Sequence, residues 1–182
     1  TFFYTFITIS SVTRSTFFRI ITISTANLRE EPVFRAEMGI QALMGEEVKI
    51  VAETKDWLQV ITYSDYKAWV RKAAVECHPE SISAWNNAEK WIVTARHAIL
   101  RDAPNTNGAI VNELHMGDVV ALQQTSNEDY AEVFLPNGTI AYALKSEICN
   151  SSEYFANVDK TGEAIVADAL RCRGVPYLWG GN

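Results

Sequence analysis

The chain carries two copies of one sequence pattern, separated by 72 to 73 residues. NLREEP from Asn27 matches ILRDAP from Ile99. Self-similarity at a fixed distance indicates one structural unit that occurs twice. We therefore expect both copies to fold alike, with one residue added in a loop of the second. The matches at an offset of 72 are Leu28/Leu100, Arg29/Arg101, Pro32/Pro104, Met44-Gly45/Met116-Gly117 and Val48/Val120, and those at 73 are Asp56-Trp57/Asp129-Tyr130, Val60/Val133 and Ala68-Trp69/Ala141-Tyr142.

The repeated unit is predicted to be all-β. Short runs rich in β-branched and aromatic residues, separated by turn residues, are typical of strands. Pro136-Asn137-Gly138 indicates a hairpin with a tight primed turn, because Asn-Gly accepts the positive φ angles of such a turn. Five or six short strands in about 60 residues suit a small closed barrel. The runs are VKIVAE, WLQVIT and KAWV in the first copy and VVALQQ, YAEVFL and TIAYAL in the second.

Charge and hydropathy exclude two classes of partner. A formal charge of −6 and a pI near 5.1 provide no electrostatic footprint for nucleic acid. The sequence has no uninterrupted apolar run of about 18 residues, so no membrane-spanning helix is predicted. We therefore expect neither a nucleic-acid partner nor a membrane span.

Cysteine and histidine residues indicate neither a disulfide framework nor a metal site. The three cysteines lie far apart and cannot all pair. No pair of candidate ligands has the close spacing that zinc sites use, so no metal or organic cofactor is predicted. Trp57, Tyr63, Tyr66 and Trp69 form an aromatic group that either binds a ligand or fills the first core, and the core is favoured. The candidate metal ligands are His78, His97, His115, Cys77 and Cys149.

Segments outside the two copies have different patterns. SISAWNNAEKW predicts a two-turn linker helix capped by Ser81 or Ser83 and packed by tryptophans. At the start, TFFYTFITIS recurs as TFFRIITIS from Thr16, and this second copy is expected to supply the opening strand of the first barrel. Threonines interrupt the segment, which favours a strand over a signal peptide.

The last segment changes to a helical period. Ile165, Ala169 and Cys172 share one face of a predicted helix, with Asp159 or Thr161 as its cap. Gly174 and Pro176 end that helix near Arg173, and GVPYLWGGN follows as an extended turn.

These motifs resemble two bacterial families. The Leu-Arg-x-x-Pro openings and the glycine before the central strand resemble bacterial SH3-like domains over Phe18 to Glu76 and Trp91 to Asn150. GEAIVADALRCRGVPYLWGGN resembles the opening of NlpC/p60 cysteine peptidases. The resemblance implies a mainly β chain of two tandem SH3-like barrels, followed by the first helix of an α+β papain-like NlpC/p60 domain. The implied parts are 1–17 (uncertain), 18–77 (first SH3-like domain), 78–90 (linker helix), 91–150 (second SH3-like domain) and 151–182 (start of the peptidase domain).

The resemblance also implies a substrate site. Tyr177 and Trp179 would line the cleft, Gly180 and Gly181 would allow a tight turn beside it, and Tyr66 and Trp69 are candidates from the first barrel. The family's nucleophile starts the next helix, so no catalytic residue is expected in this chain and we expect a fragment without peptidase activity. Cys172 precedes the motif and is predicted to be a buried structural thiol.

The implied parent protein cleaves the bond between D-glutamate and a diamino acid in peptidoglycan stem peptides. The expected partners are stem peptides or muropeptides, with a free N-terminal L-alanine selected by the first barrel. The expected location is the cell envelope, with cytoplasmic recycling left open. Two alternatives stay open: a non-catalytic wall-binding module, and a paired scaffold for a protein ligand, which the PYLWGG segment disfavours.

Overall fold

Two seven-stranded antiparallel sheets make up most of the computed structural model, which describes residues 18–125 and 127–181. The mainly β prediction is confirmed. Residues 1–17, which contain the first copy of the duplicated segment and the first two residues of the second copy, lie outside the described residues. No helix in the described ranges is long and apolar enough to span a bilayer.

The first sheet comes from the first sequence copy. Its strand order is β3-β2-β6-β5-β4-β1-β7. Strand β1 pairs with β4 and β7, which confirms that the segment after Thr16 opens the first unit. Its strands are β1 (Phe18–Ile21), β2 (Thr25–Arg29), β3 (Met38–Leu43), β4 (Glu47–Glu53), β5 (Trp57–Ile61), β6 (Lys67–Arg71) and β7 (Val75–Glu76).

The second sheet repeats this topology in the order β10-β9-β13-β12-β11-β8-β14. The long strand of each unit carries a register shift at the equivalent place, between Ile50 and Ala52 in β4 and between Leu122 and Gln124 in β11. The strands are β8 (Lys90–Val93), β9 (His97–Arg101), β10 (Ile110–His115), β11 (Val119–Thr125), β12 (Tyr130–Phe134), β13 (Ile140–Leu144) and β14 (Ile148–Asn150).

Alternating side chains of each sheet form a separate core. Leu28 and Leu100, at equivalent positions, are both 0% exposed, as expected where one face of a strand is buried. Within the described ranges no pairing joins the outer strands of either sheet, β3 to β7 or β10 to β14. Closure into barrels therefore stays a prediction.

Helix α1 (Pro79–Asn87) connects the sheets and confirms the predicted linker helix. Its predicted caps, Ser81 and Ser83, are wrong, because the helix begins earlier with Pro79 at its first turn and His78 as N-cap. Proline is favoured there because its missing N–H would be unpaired in any case.

The Asn137-Gly138 hairpin forms, but its turn is not the predicted primed type. Gly138 has φ of +81°, whereas Asn137 is not among the residues with positive φ. Gly138 N–H donates to the Leu135 carbonyl (2.8 Å) and Leu135 N–H to the Thr139 carbonyl (2.9 Å). Pro136 fixes a negative φ at the start of the turn, which favours an ordinary turn followed by a left-handed glycine.

Two helices follow the second sheet, α2 (Ser151–Asn157) and α3 (Gly162–Arg171). Thr161, one of the two predicted caps, accepts a hydrogen bond from Ala164 N–H (3.3 Å). Gly174 has φ of +90°, consistent with the predicted left-handed end. The prediction of a buried Cys172 is wrong: the residue is exposed, because no described element covers the predicted apolar face, on which Ile165 is also 62% exposed.

One hairpin turn of each unit lies at the centre of the contact between the two units. Met44, between β3 and β4, is 1% exposed and packs into the core of the second unit. Its N–H donates to Asp118 Oδ1 and its carbonyl accepts from Val119 N–H, both at 3.0 Å. Trp85 of α1 packs beside these turns, together with Ile20 and Ala121.

A buried carboxylate completes this interface. Asp118 is 0% exposed. Its Oδ2 accepts hydrogen bonds from His115 N–H (2.8 Å) and from the Ser24 hydroxyl, and the same Ser24 oxygen lies 2.8 Å from His115 Nδ1. The polar contact therefore joins the start of β2 in the first unit to the β10–β11 turn of the second.

Candidate functional site

A cleft of about 300 Å³ lies between the first unit and the C-terminal turn. One wall belongs to the β2–β3 loop and to the residue before β6, and the other belongs to the turn after α3. The lining residues are Glu30, Glu37, Gly39, Tyr66, Tyr177, Trp179 and Gly180.

The β2–β3 loop supplies an acidic wall. Glu30 N–H donates to the Glu37 carbonyl (3.1 Å), so the two glutamates stand at the base of the loop. Arg29 Nη1 donates to the Ala36 carbonyl (2.6 Å), which joins the beginning and the end of the loop. Among the described lining residues there is no lysine, arginine or histidine, so the cleft has a negative potential.

Tyr66 is joined to this acidic wall. Its hydroxyl donates a hydrogen bond to Glu30 Oε1. That hydrogen bond, followed by partial burial and the charges of Glu30 and Glu37, raises the pKa of the Tyr66 phenol. The phenol therefore stays a neutral hydrogen-bond donor up to a higher pH than an ordinary tyrosine.

The opposite wall is aromatic and close to the first unit. The Tyr177 and Trp179 side chains are 84% and 63% exposed. Gly180 has φ of +69°, and a Cβ at that position would lie 2.5 Å from the Met38 carbonyl oxygen. Only glycine combines this backbone angle with such a close approach.

Four of the six residues predicted for substrate contact are brought together. Tyr66, Tyr177, Trp179 and Gly180 line the cleft. Gly181 is adjacent, and its missing Cβ would lie 3.4 Å from the Gln41 side chain. Trp69 is not among the lining residues; it lies on β6, in register with Arg29 and Gln59.

Sequence reasoning did not single out Glu30, Glu37 or Gly39. A signal was available in the comparison of the two copies, because the equivalent residues at an offset of 72 are Asp102, Ala109 and Val111. Positions at which the two copies differ are therefore where side chains specific to the first unit can be sought.

The other two members of the predicted aromatic group, Trp57 and Tyr63, differ in burial. Trp57 is 5% exposed, in agreement with a core role, but Tyr63 is 84% exposed. The Trp57 and Phe34 rings make a tilted edge-type contact, with ring centroids 5.4 Å apart, and the Arg71 guanidinium lies 4.9 Å from the Phe34 centroid. This cluster holds the tip of the same β2–β3 loop. No group of three or more possible metal ligands occurs in the described ranges.

Comparison with known proteins agrees with this architecture. Residues 24–76 match the family model described as Bacterial SH3 domain. The predicted resemblance is confirmed. The matched residues include the acidic wall of the cleft and Tyr66, so one side of the cleft lies within the match.

A curated relative and two solved structures extend the comparison. Dipeptidyl-peptidase 6 of Lysinibacillus sphaericus is 28% identical over 169 residues, which are 90% of this chain and 62% of the relative. An NlpC/P60 family protein from Bacillus cereus ATCC 10987 superposes with a TM-score of 0.74 at 19% identity, over 90% of this chain and 66% of that one. An NlpC/P60 endopeptidase from Photobacterium damselae subsp. piscicida gives 0.57 at 13% identity, over 90% and 38%. The chain therefore spans less than two thirds of these relatives.

Proposed function

We propose that this chain is the front part of a cysteine endopeptidase that cleaves the γ-D-glutamyl–diamino acid bond of peptidoglycan stem peptides. In this proposal residues 18–77 and 91–150 are SH3-like barrels, residues 78–90 are their linker, and residues 151–182 open the peptidase domain. The similarity to NlpC/P60 proteins and to a dipeptidyl-peptidase supports a peptidase related to peptidoglycan.

The observation that carries the proposal is the cleft between the Bacterial SH3 domain match and the PYLWGG turn. Its acidic wall, Glu30 and Glu37, fits a cationic group, and its aromatic wall, Tyr177 and Trp179, fits the chain of a short peptide. Aromatic faces also attract cations. A stem peptide with a free N-terminal L-alanine carries such a cation at one end, so the first unit would select it.

The test is calorimetric titration of the chain with L-alanyl-γ-D-glutamyl-diamino acid tripeptide and with the same tripeptide acetylated at its amino group. Hydrogen bonds to charged groups contribute about 1.5–3 kcal/mol, so acetylation should weaken binding about tenfold to a hundredfold. Glu37→Gln should weaken binding of the free tripeptide and reduce the effect of acetylation.

Glu128→Gln is the matched control, because Glu128 lies in an exposed loop of the second unit and loses the same charge. It should leave binding unchanged. Equal affinity for the free and the acetylated tripeptide would contradict the proposed role of the acidic wall.

A second candidate function is a non-catalytic wall-binding module. The exposed Phe34 and Tyr63, 70% and 84% exposed, lie outside the cleft lining and favour a further contact surface on the first unit. Pull-down on purified peptidoglycan tests it, since binding that survives blocking of the cleft by Tyr66→Trp would support this function. The proposed location is the cell envelope, and cytoplasmic recycling of wall peptides stays an alternative for the peptidase function.

A further inference from the structure

We infer that Gly39 is a positioning residue of the cleft: the absence of a side chain at this position lets Tyr66 and Glu30 meet over strand β3. The inference rests on the proposed function for the identity of the ligand. It concerns the geometry of the acidic wall, which can be measured without any ligand.

The space above Gly39 is filled by the tyrosine–glutamate pair. A Cβ on Gly39 would overlap the Tyr66 hydroxyl and would lie 2.5 Å from Glu30 Oε1 and 2.8 Å from Tyr66 Cζ. Real Cβ atoms do not approach other heavy atoms so closely, because steric repulsion rises steeply at such distances. Any side chain at this position therefore displaces the pair.

The second unit shows the same backbone without the cleft. Its β9–β10 loop repeats three backbone hydrogen bonds of the β2–β3 loop, including Asp102 N–H to the Ala109 carbonyl (3.0 Å). Arg101 Nη1 donates to the Gly108 carbonyl (2.6 Å), as Arg29 does to Ala36. The shared loop is therefore a scaffold, and its side chains decide whether a site forms.

In the second unit, the residues equivalent to Gly39, Tyr66 and Glu30 do not form a tyrosine–glutamate pair. Val111 stands where the first unit has Gly39, and Thr139 stands where it has Tyr66. Asp102, equivalent to Glu30, accepts a hydrogen bond from Ala109 N–H (2.8 Å) within its own loop. The second unit therefore has a side chain at the position equivalent to Gly39 and has no tyrosine at the position equivalent to Tyr66.

Replacing Gly39 by alanine should disturb the cleft and leave the fold intact. The atoms that it would meet are the ends of the Tyr66 and Glu30 side chains, which can rotate away, and not backbone atoms. Gly39 is not among the glycines with positive φ, so an alanine fits the backbone angle and lowers the entropy of the unfolded chain. Gly39→Ala should therefore retain or raise the melting temperature while it moves the pair apart.

The experiment compares Gly39→Ala with the wild-type chain by two measurements. Ultraviolet titration, each protein minus its Tyr66→Phe counterpart, isolates the Tyr66 phenol among seven tyrosines. The hydrogen bond to Glu30 raises the pKa of this phenol in the wild type, and Gly39→Ala should return the pKa towards the ordinary tyrosine value. Affinity for the L-alanyl-γ-D-glutamyl-diamino acid tripeptide should fall about tenfold, the effect of one lost hydrogen bond to a charged group.

Gly162→Ala is the matched control, because no atom lies within 4 Å of its added Cβ. It should leave both the titration and the affinity unchanged. An unchanged Tyr66 titration in a folded Gly39→Ala chain would overturn the inference. A wild-type chain that binds no tripeptide would overturn the proposed function, while the titration would still decide the role of Gly39.

A second variant tests the inference if Gly39→Ala does not fold. If Gly39→Ala alone does not fold, adding Tyr66→Ala removes the ring that the new Cβ meets. A folded double variant would show that the tyrosine is the obstacle, which supports the inference. A double variant that also fails to fold would show that the backbone requires glycine, which overturns it.

Discussion

Asp118 is a carboxylate that lies completely buried between the two units. Burial raises its pKa, and the hydrogen bonds from Ser24, His115 and Met44 together with the nearby His115 ring oppose that rise only in part. The folded chain therefore keeps a proton on Asp118 at pH values where the unfolded chain has lost it. Between these two pKa values the free energy of unfolding decreases as the pH rises.

Asp118→Asn tests this contribution. An asparagine turns an NH₂ group towards N–H donors that now face an oxygen, so we expect a loss of about 1–3 kcal/mol in acid. Because asparagine does not titrate, the difference in unfolding free energy between wild type and variant should shrink as the pH rises through the folded pKa of Asp118. Urea unfolding from pH 4 to pH 8 measures it.

A difference in unfolding free energy between wild type and Asp118→Asn that grows with pH would contradict this account. It would mean that the folded protein favours the charged carboxylate. Glu128→Gln again provides the control, since this side chain is exposed in both folded and unfolded chains. Its difference from the wild type should stay flat over the same range.

The residues that line the cleft were predictable for the PYLWGG motif and, through the aromatic group of the first barrel, for Tyr66. Tyr177, Trp179 and Gly180 belong to one contiguous string, so the resemblance identified them together. Glu30, Gly39 and Tyr66 are distant in sequence and meet only after β2, β3 and β6 have paired. No local pattern reports such a meeting.

At the scale of elements, the β2–β3 loop has the backbone hydrogen bonds of the β9–β10 loop but different side chains. Phe34 at its tip is 70% exposed, yet it contacts Trp57 and Arg71. The equivalent residue of the second unit is Thr106. An exposed aromatic ring that stacks with an arginine holds the loop against strands β5 and β6.

Phe34→Ala should therefore destabilise the chain more than an ordinary surface change. Loss of an aromatic pair and of a cation–π contact gives an expected cost of about 1–2 kcal/mol, whereas Thr106→Ala should stay within about 0.5 kcal/mol. Guanidinium unfolding measures both. Equal effects at the two positions would show that the cluster does not stabilise the loop.

The central strands of both units were predictable because β-branched and aromatic residues recur along them between turn residues. The six predicted runs correspond to β4, β5, β6, β11, β12 and β13. Turn type and helix caps were less predictable. They depend on single residues such as Pro79 and Pro136, whose fixed φ overrides the signals of neighbouring serines or asparagine.

At the scale of the whole molecule, equivalent methionines have different surroundings. Met44 is 1% exposed in the core of the second unit, whereas Met116 is only partly buried. Both stand before a glycine with positive φ, at 87° for Gly45 and 99° for Gly117. Both turns share the Met-Gly pair and the valine three residues after the glycine, and neither copy alone shows which methionine enters the core of the other unit.

Met44→Ala should cost about 2–5 kcal/mol, the usual effect of truncating a fully buried methionine. Met116→Ala, the matched change in the other copy, should cost clearly less because its side chain is partly in water. Unfolding followed by urea measures both, and Met44→Ala should also separate the transitions of the two units. Equal costs, with a single transition retained, would contradict this account of the interface.

The insertion of Met44 into the second unit, without a matching insertion of Met116 into the first, also has a consequence for the duplication. Two identical copies related by a twofold axis make an isologous contact, in which each copy uses the same surface in the same way. Here equivalent turns meet, but one donates a side chain and the other receives it, so the contact is heterologous. The two copies are therefore no longer interchangeable: reversing their order along the chain would place Thr139 and Val111 where the cleft requires Tyr66 and Gly39.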